Sequence, residues 1–561
     1  MIYEYIYLFL LYSYLLQTTM CLTASSDTLL WKGLNKSIDG ISTVEEAFLL
    51  VPADYEDANS PMLTVNIRRF TANTTNVSGD PVNVWFIPGG PGQSSKSLEE
   101  MIPVFLRDLP HGSIIYAIDH RGLGKSTPLA SSKEKELLEE YPKQAEMLKD
   151  IVMKEQGKLG ILTPITKVLR IENVARDLLK SVNLVNRSAK KKLRHFIVGI
   201  SYGTMVARRA LQIAPVGMFE GVLLDGLAPT EKIEQSNEAD RIIEEVCQKV
   251  PECKNTIMKD INGRIKVRGI IPEILKRNNP IMNSCTSYFL SIFANDTSSL
   301  CSNLHEFMNA VLLTGRASVK VGALRLMKEM AQCGDPDGFK LLFDAIYEEL
   351  LEGQSVNQLQ SVAAVNREIK ATANKLSSDE LVFEVVSALE RYGVTRSSMN
   401  ICFNRKHSVN GDEPETCPSR LFDPCKFFRT TWERKEALRE IDESSSGLPP
   451  ISIKTPMVVA PETRIIVLAG NLDFNTPTWL SRQITAKYTK AKEVYYHEFF
   501  GYGHGTYGSS DCDHEIFSEL LNGNNQNAEE CVRKSNEKNI RIIDGYFKKS
   551  LNDLATFIKD S

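Results

Sequence analysis

Short apolar runs recur along the first part of the chain: AFLLV (47–51), LTVNIRRF (63–70), VNVWFI (82–87), SIIYAI (113–118), FIVGI (196–200) and GVLLD (221–225). The second alternates partly with polar residues, and the others read as strands buried on both faces. A different period lies between them. IENVARDLLKSVNLV (171–185) sets Ile171, Val174, Leu178 and Val182 at helical spacing, and a further helix is predicted from Gly203, directly after FIVGI. Apolar strands alternating with helices predict an α/β protein with a mostly parallel sheet covered on both faces. After DGLAP (225–229) the pattern changes. Residues 230–455 read as helices with little strand signal, as in GFKLLFDAIYEELLEG (338–353) and DELVFEVVSALERYG (379–393), and SSSGLPPISIKTP (444–456) reads as a linker. Strands then resume with RIIVLAG (464–470) and VYYHEFF (494–500), followed by a helical tail. The expected organisation is one α/β core in two parts, 25–229 and 456–561, interrupted by a helical insertion over 230–455.

Composition narrows the function classes without naming one. The 561 residues are 42% hydrophobic and 24% charged with a formal net charge of −4, so no nucleic-acid partner is expected. No repeat of solenoid or propeller length stands out. IYLFLLYSYLL (6–16), followed by CLTASS, reads as a signal peptide over 1–24. Its start carries Glu4 and no Lys or Arg, which keeps a retained anchor as the alternative. No other run reaches the roughly 18 apolar residues a membrane span needs. Cleavage beyond Cys21 leaves ten of the eleven cysteines, an even number that suits disulfides in an oxidising compartment. Cys402, Cys417 and Cys425 lack paired C-x-x-C spacing, so no metal site is expected. Sequons at Asn35, Asn73, Asn76, Asn186 and Asn295 are compatible with glycosylation. The destination expected is the secretory pathway, outside the cell or in an endomembrane lumen.

The chemistry starts at Gly199-Ile200-Ser201-Tyr202-Gly203, a G-x-S-x-G sequence between a predicted strand and a predicted helix. Glycines there let the strand turn abruptly into the helix and lift a serine hydroxyl above the sheet edge. The helix start supplies backbone N–H groups for developing negative charge. A serine nucleophile needs a base and an orienting acid, in the order Ser, Asp, His on this kind of scaffold. LAGNLDFNTP places Asp473 after a strand, and FFGYGHGTYG places His504 in a glycine-rich loop after the next one. His497 falls inside a strand and reads as a packed histidine, His514 opens a helix behind Cys512, and Glu462 precedes its strand instead of following it. Two N–H donors are needed for the tetrahedral oxygen: Tyr202, after the nucleophile, and Gly90 in WFIPGGPGQSS (85–95), where Pro91 has no N–H to offer. RGLGKST (121–127) looks like a phosphate loop, but the position that a P-loop requires to be glycine is Asp119.

PGGPG, DHRGLGKS, GISYGT, GNLDFNTP and GHG, in this order, resemble the tripeptidyl aminopeptidase and proline iminopeptidase group of α/β-hydrolase serine peptidases. Pro88 before the glycine pair, VPADY (51–55) and ENVARDL (172–178) bring the chain closer to the tripeptidyl aminopeptidase branch. DCDHEIFSELLNGNNQNAEEC (511–531) is similar to the C-terminal segment of that branch, which implies a Cys512–Cys531 bridge. The match spans 45–230 and 460–535, and the insertion matches only loosely.

The resemblance implies an α/β-hydrolase fold with a large helical lid. It also implies a Ser201–Asp473–His504 triad, no cofactor, and a peptide substrate trimmed from its free N-terminus. Reading an N-terminal amine calls for buried carboxylates, for which Glu244, Glu245, Glu348, Glu349 and Glu433 are candidates without a choice among them. Relatives carry an acidic residue shortly after the cysteine equivalent to Cys402, where this chain has Asn404, a departure that bears on aminopeptidase specificity. A carboxylesterase or lipase with the same triad, and a non-catalytic binding protein on the same fold, are the competing readings.

Overall fold

In the computed structural model, the residues described are 28–34, 40–73, 79–99, 101–129, 165–228, 238–257, 282–293, 304, 307–308, 311, 316–352, 462–488, 490–523 and 525–560. Nine strands form one sheet in the order β1-β2-β3-β5-β4-β6-β7-β8-β9. They are β1 (Lys32–Gly33), β2 (Ile41–Pro52), β3 (Met62–Ala72), β4 (Asn83–Ile87), β5 (Ile114–Ile118), β6 (His195–Ile200), β7 (Gly221–Asp225), β8 (Arg464–Gly470) and β9 (Glu493–Phe499). From β5 to β9 every pairing is parallel, whereas β1, β2 and β3 are antiparallel and β3 meets β5 antiparallel. The central β4, β7 and β8 are buried along their whole length. That is the physical origin of their uninterrupted apolar sequences.

β2 is the largest departure from the expected boundaries, running over twelve residues where only 47–51 reads as apolar. Its polar first half is held by cross-strand charge: Glu45 lies opposite Arg69 in register, and their side chains pair at 2.7 Å. A periodicity argument cannot register a strand stabilised in this way.

Helices cover both faces. They are α1 (Ile102–Leu106), α2 (Ile165–Val168), α3 (Ile171–Ser188), α4 (Tyr202–Ile213), α5 (Glu238–Lys249), α6 (Pro251–Thr256), α7 (Ser284–Phe293), α8 (Ala317–Gln332), α9 (Pro336–Glu352), α10 (Thr478–Thr485), α11 (Asp513–Asn522), α12 (Asn525–Lys548) and α13 (Leu551–Asp560). Val174, Leu178, Met205, Val206 and Leu480 of α3, α4 and α10 share one core with Trp85, Ile197 and Val467. Phe105, Phe517 and Leu520 of α1 and α11 share the opposite core with Val84, Phe86 and Val198. Alternate residues of one strand therefore feed opposite cores, as the pleat requires. A third core joins α8, α9 and α13 and takes in Leu472, just after β8, and Phe500, just after β9.

α9 covers 338–352 of the predicted 338–353 helix, and residue 353 lies outside the described residues. The 379–393 helix, the 444–456 linker and the 1–24 leader lie outside the described residues. Among the described residues three disulfides are formed: Cys247–Cys253, Cys285–Cys333 and Cys512–Cys531. The last ties the start of α11 to α12. Asn73 follows β3 and Asn186 lies in the last turns of α3, while the sequons at Asn35, Asn76 and Asn295 fall outside the described residues. No helix among the described residues is long and apolar enough to cross a membrane.

The motif around Arg121 is explained by packing. Its guanidinium is fully buried and forks onto Asp177 of α3, with Nε to Oδ2 at 2.6 Å and an Nη to Oδ1 at 2.8 Å. Its remaining donors reach the carbonyls of Pro52, Ala53 and Val168. Tyr55 donates its hydroxyl to Asp177 at 2.9 Å, and Asn173 accepts from the Tyr55 N–H. VPADY, DHRG and ENVARDL, far apart in sequence, are thus one buried polar network. Asp119 fills the turn that resembles a phosphate loop, its carboxylate accepting from the N–H groups of Ser95 (2.6 Å) and Lys125 (3.0 Å). Truncating Arg121 strands a buried carboxylate and three carbonyls, so Arg121→Ala should cost roughly 3–5 kcal/mol. Urea unfolding should show that loss, and a variant as stable as the wild type would contradict the network.

Candidate active site

The parallel register sets the site. Ile200 pairs with Asp225, Asp225 with Leu468, and Gly470 with Phe499, so the C-terminal ends of β6, β7, β8 and β9 share one edge of the sheet. Ser201 follows β6 immediately and adopts φ 52°, ψ −121° before α4 begins at Tyr202. A side-chain-bearing residue rarely occupies that region, and strain of this kind concentrates at functional turns. Gly203 permits the turn. A Cβ there would lie 2.2 Å from the Ile87 carbonyl oxygen and 2.7 Å from that of Pro88, so any larger residue would push the elbow off the end of β4. The same close approach brings the 88–92 loop to the nucleophile. A Cβ built on Gly89 would lie 3.1 Å from the Ser201 Cβ, and Gly90 follows with φ +103°. Of the two oxyanion candidates, Tyr202 follows Ser201 at the start of α4, and Gly90 follows Gly89 in this loop.

Asp473 and His504 are brought together. His504 Nδ1 lies 2.8 Å from Asp473 Oδ2, with the Asp473 side chain fully buried and the imidazole a quarter exposed. Asp473 Oδ1 accepts the N–H groups of Asn475 and Thr476, each at 2.8 Å, and the Thr476 hydroxyl donates to Oδ2. Burial pushes the Asp473 carboxyl up, but His504 and the Thr476 donors outweigh it and hold the group below its ordinary range. An ionised Asp473 accepts only, so Nδ1 carries the imidazole proton and Nε2 is left as the basic nitrogen.

Asp225 belongs to the same assembly, although nothing in the sequence marks it beyond its place at the end of GVLLD. Its backbone carbonyl accepts the Ser201 N–H at 2.8 Å. Its carboxylate holds the loop after β9: Thr506 N–H to Oδ2 at 2.8 Å, Thr506 Oγ1 to Oδ1 at 2.9 Å and Tyr507 N–H to Oδ2 at 2.9 Å. Gly226 lies against the imidazole, since a Cβ there would be 3.1 Å from His504 Cε1. Residues 225 and 226 therefore tie Ser201 and the loop that carries His504 to one point. Burial raises the Asp225 carboxyl to about 6, against the pull of the Tyr507 and Thr506 donors and of His504. The signal that could have found it is a carboxylate ending an otherwise apolar strand beside the nucleophile strand. His120 is a second such group. Its Nδ1 meets the Arg121 carbonyl at 2.7 Å and its Nε2 the Tyr202 hydroxyl at 3.1 Å, while burial lowers it to about 4 and keeps it neutral.

The competing histidines are placed elsewhere. His497 is buried in β9 against Glu519 at 2.7 Å, and His514 pairs with Asp108 at 2.8 Å on the surface. Among the carboxylates proposed to read an amine, Glu348 pairs with Lys559 and Glu349 with Arg316, and Glu245 lies in the field of Arg482. Glu244 lies on α5 and is itself engaged. Glu433 and Asn404, like Cys21, Cys301, Cys402, Cys417 and Cys425, lie outside the described residues. Among the described residues no group of three or more His, Cys, Asp or Glu is placed to hold a metal ion.

A family model described as alpha/beta hydrolase fold matches residues 82–249, from β4 to the end of α5. With the sheet order and the elbow, this gives the fold class: an α/β-hydrolase fold with a mostly parallel central sheet and helices inserted between β7 and β8. Structural comparison pairs the chain with an esterase from Exiguobacterium antarcticum at 11% identity and a TM-score of 0.33, covering 84% of this chain and 97% of that one. It also pairs with the peroxisomal alpha-beta-hydrolase Lpx1 of Saccharomyces cerevisiae at 10% identity and a TM-score of 0.32, covering 91% of each. An epoxide hydrolase from an endophytic Streptomyces matches at 11% identity and a TM-score of 0.30, over 91% of this chain and 96% of that one. Likeness at this level transfers no activity. No curated protein matches the sequence.

The grip of Asp225 is open to test. Asp225→Asn turns an NH2 toward two backbone N–H groups and should free the 504–508 loop. We expect reaction of Ser201 with a fluorophosphonate to slow by about 10²-fold with the fold retained by circular dichroism. An unchanged rate would show that the loop stays in place without the carboxylate.

Proposed function

We propose that the protein is a serine hydrolase working through an acyl-enzyme. The observation that carries this reading is the His504–Asp473 pair, at 2.8 Å, held on the same sheet edge as the strained Ser201 by residues 225 and 226. In the reaction proposed, Ser201 Oγ attacks the substrate carbonyl carbon while His504 Nε2 takes its proton. Asp473 holds the ring and balances the imidazolium charge. The tetrahedral oxygen is stabilised by the N–H groups of Tyr202 and Gly90. His504 then returns the proton to the leaving group, and a water repeats the sequence on the acyl-serine to release the acid.

Within that class we favour an aminopeptidase of the secretory pathway that releases short peptides or single residues from free N-termini. This rests on the motif resemblance, and three disulfides are consistent with an oxidising compartment. A second reading, an esterase, is favoured by one observation: Glu348 and Glu349 already have cationic partners, which leaves them poorly suited to bind a substrate amine.

The deciding assay sets free and N-blocked fluorogenic peptides beside short acyl esters, with Ser201→Ala as control. Cleavage confined to free N-termini and lost in Ser201→Ala is the expected result, and cleavage of esters alone would move the function to the second reading. Asp473→Asn should cost about 10⁴-fold in kcat. No Ser201-dependent turnover, with no labelling by a fluorophosphonate, would sink the enzyme reading. Because His504 must be neutral to accept the proton, kcat/KM should fall as the pH drops through the imidazole pKa.

A further inference from the structure

Lys320 lies on α8, inside the helical insertion, yet it is only 5% exposed. Burying an ammonium is costly, and an apolar residue would fill the same space without that cost. Its Nζ donates to the Leu472 carbonyl at 2.8 Å and stands 5.1 Å from the centre of the Phe474 ring. Both flank Asp473, the charged residue whose field reaches the ammonium. The Leu472 N–H in turn donates to the Tyr502 carbonyl at 2.8 Å, two residues before His504. One line of contacts therefore runs from the insertion through the acid loop to the base loop. The side chains of Leu472 and Phe500 enter the core of the inserted helices alongside it. Burial lowers the Lys320 ammonium to about 8 against the pull of Asp473, so it is predominantly charged at neutral pH.

We propose that Lys320 is a positioning residue that fixes the acid-bearing loop to the helical insertion and offsets the negative charge gathered around His504. It acts through Asp473 and Leu472 and does not touch the reacting atoms. The charged groups involved are Asp473 from the loop after β8, Asp225 from the end of β7 and Lys320 from α8. Two carboxylates stabilise the His504 imidazolium. An ammonium fixed on the Asp473 loop opposes them and lets the ring lose its proton at lower pH.

The inference rests on the triad proposed above, so its test uses a readout independent of any substrate: the rate of Ser201 labelling by a fluorophosphonate between pH 5 and 9. Lys320→Gln keeps a donor for Leu472 but loses the charge, and Lys320→Arg keeps the charge. In Lys320→Gln the acid limb should move up by about half a unit to one unit, so that labelling near pH 6 falls roughly three- to tenfold and recovers toward pH 8. Lys320→Arg should keep the wild-type limb. The same limb in Gln, Arg and wild type would overturn the proposal, as would a loss of rate that is uniform across pH. If Lys320→Gln does not fold, Lys320→Met should show the same upward shift of the acid limb on top of a pH-independent loss from the missing donor, and a Met variant without that shift would overturn the proposal. Wild-type protein that labels at no pH would instead overturn the proposed hydrolase function.

Discussion

One residue closes the two halves of this chain on each other. Asp225 ends β7 where the chain leaves the sheet for the helical insertion, and the sheet resumes beside it with β8. Its carbonyl holds Ser201 from the first half, and its carboxylate holds the 506–507 backbone from the second. A carboxylate this deeply buried survives only because three donors converge on it. The same three bonds fix the loop that carries His504. Ser201 and His504, separated by the whole insertion in sequence, are thus positioned against a common point.

The sheet makes that arrangement possible, and electrostatics then sorts the side chains at its edge. Parallel strands in register deliver every βα loop to one end, but they deliver several titratable groups there with no instruction about which will be charged. Environment decides. Asp473, held by His504 and the Thr476 donors, stays ionised, and Asp225, for which burial outweighs its donors, titrates higher. His120, bonded through its ring to the Arg121 carbonyl and the Tyr202 hydroxyl, is kept neutral by burial. The Arg121–Asp177 pair works differently. It ties the end of β2, α2 and α3 together through one buried guanidinium.

The inserted helices are part of this machinery. Their apolar core continues into the loops after β8 and β9 through Leu472 and Phe500, and Lys320 adds a polar contact at the same seam. A lid packed only on itself could be exchanged freely. These helices share their core with the loops that carry Asp473 and His504, so their sequence is constrained by those loops.

Sequence alone was sufficient wherever the governing physics is local. Strands buried on both faces read as unbroken apolar runs, α3 shows its stripe at Ile171, Val174, Leu178 and Val182, and a serine between glycines at a strand end marks the elbow, because each depends on residues a few positions apart. Asp473 and His504 stand out as residues just after strand ends, in the order this kind of scaffold uses, and the fold brings those two side chains together. Folding decided what depends on distance through space. The pleat of β9 turns His497 toward Glu519, while the loop beyond it brings His504 to Asp473. Charge pairing across β2 and β3 extends a strand that apolar periodicity places at only 47–51. Asp225 and Lys320 look unremarkable in the linear chain because their partners, Thr506 and Leu472, lie hundreds or more than a hundred residues away, and only the closed fold brings those atoms within hydrogen-bonding range.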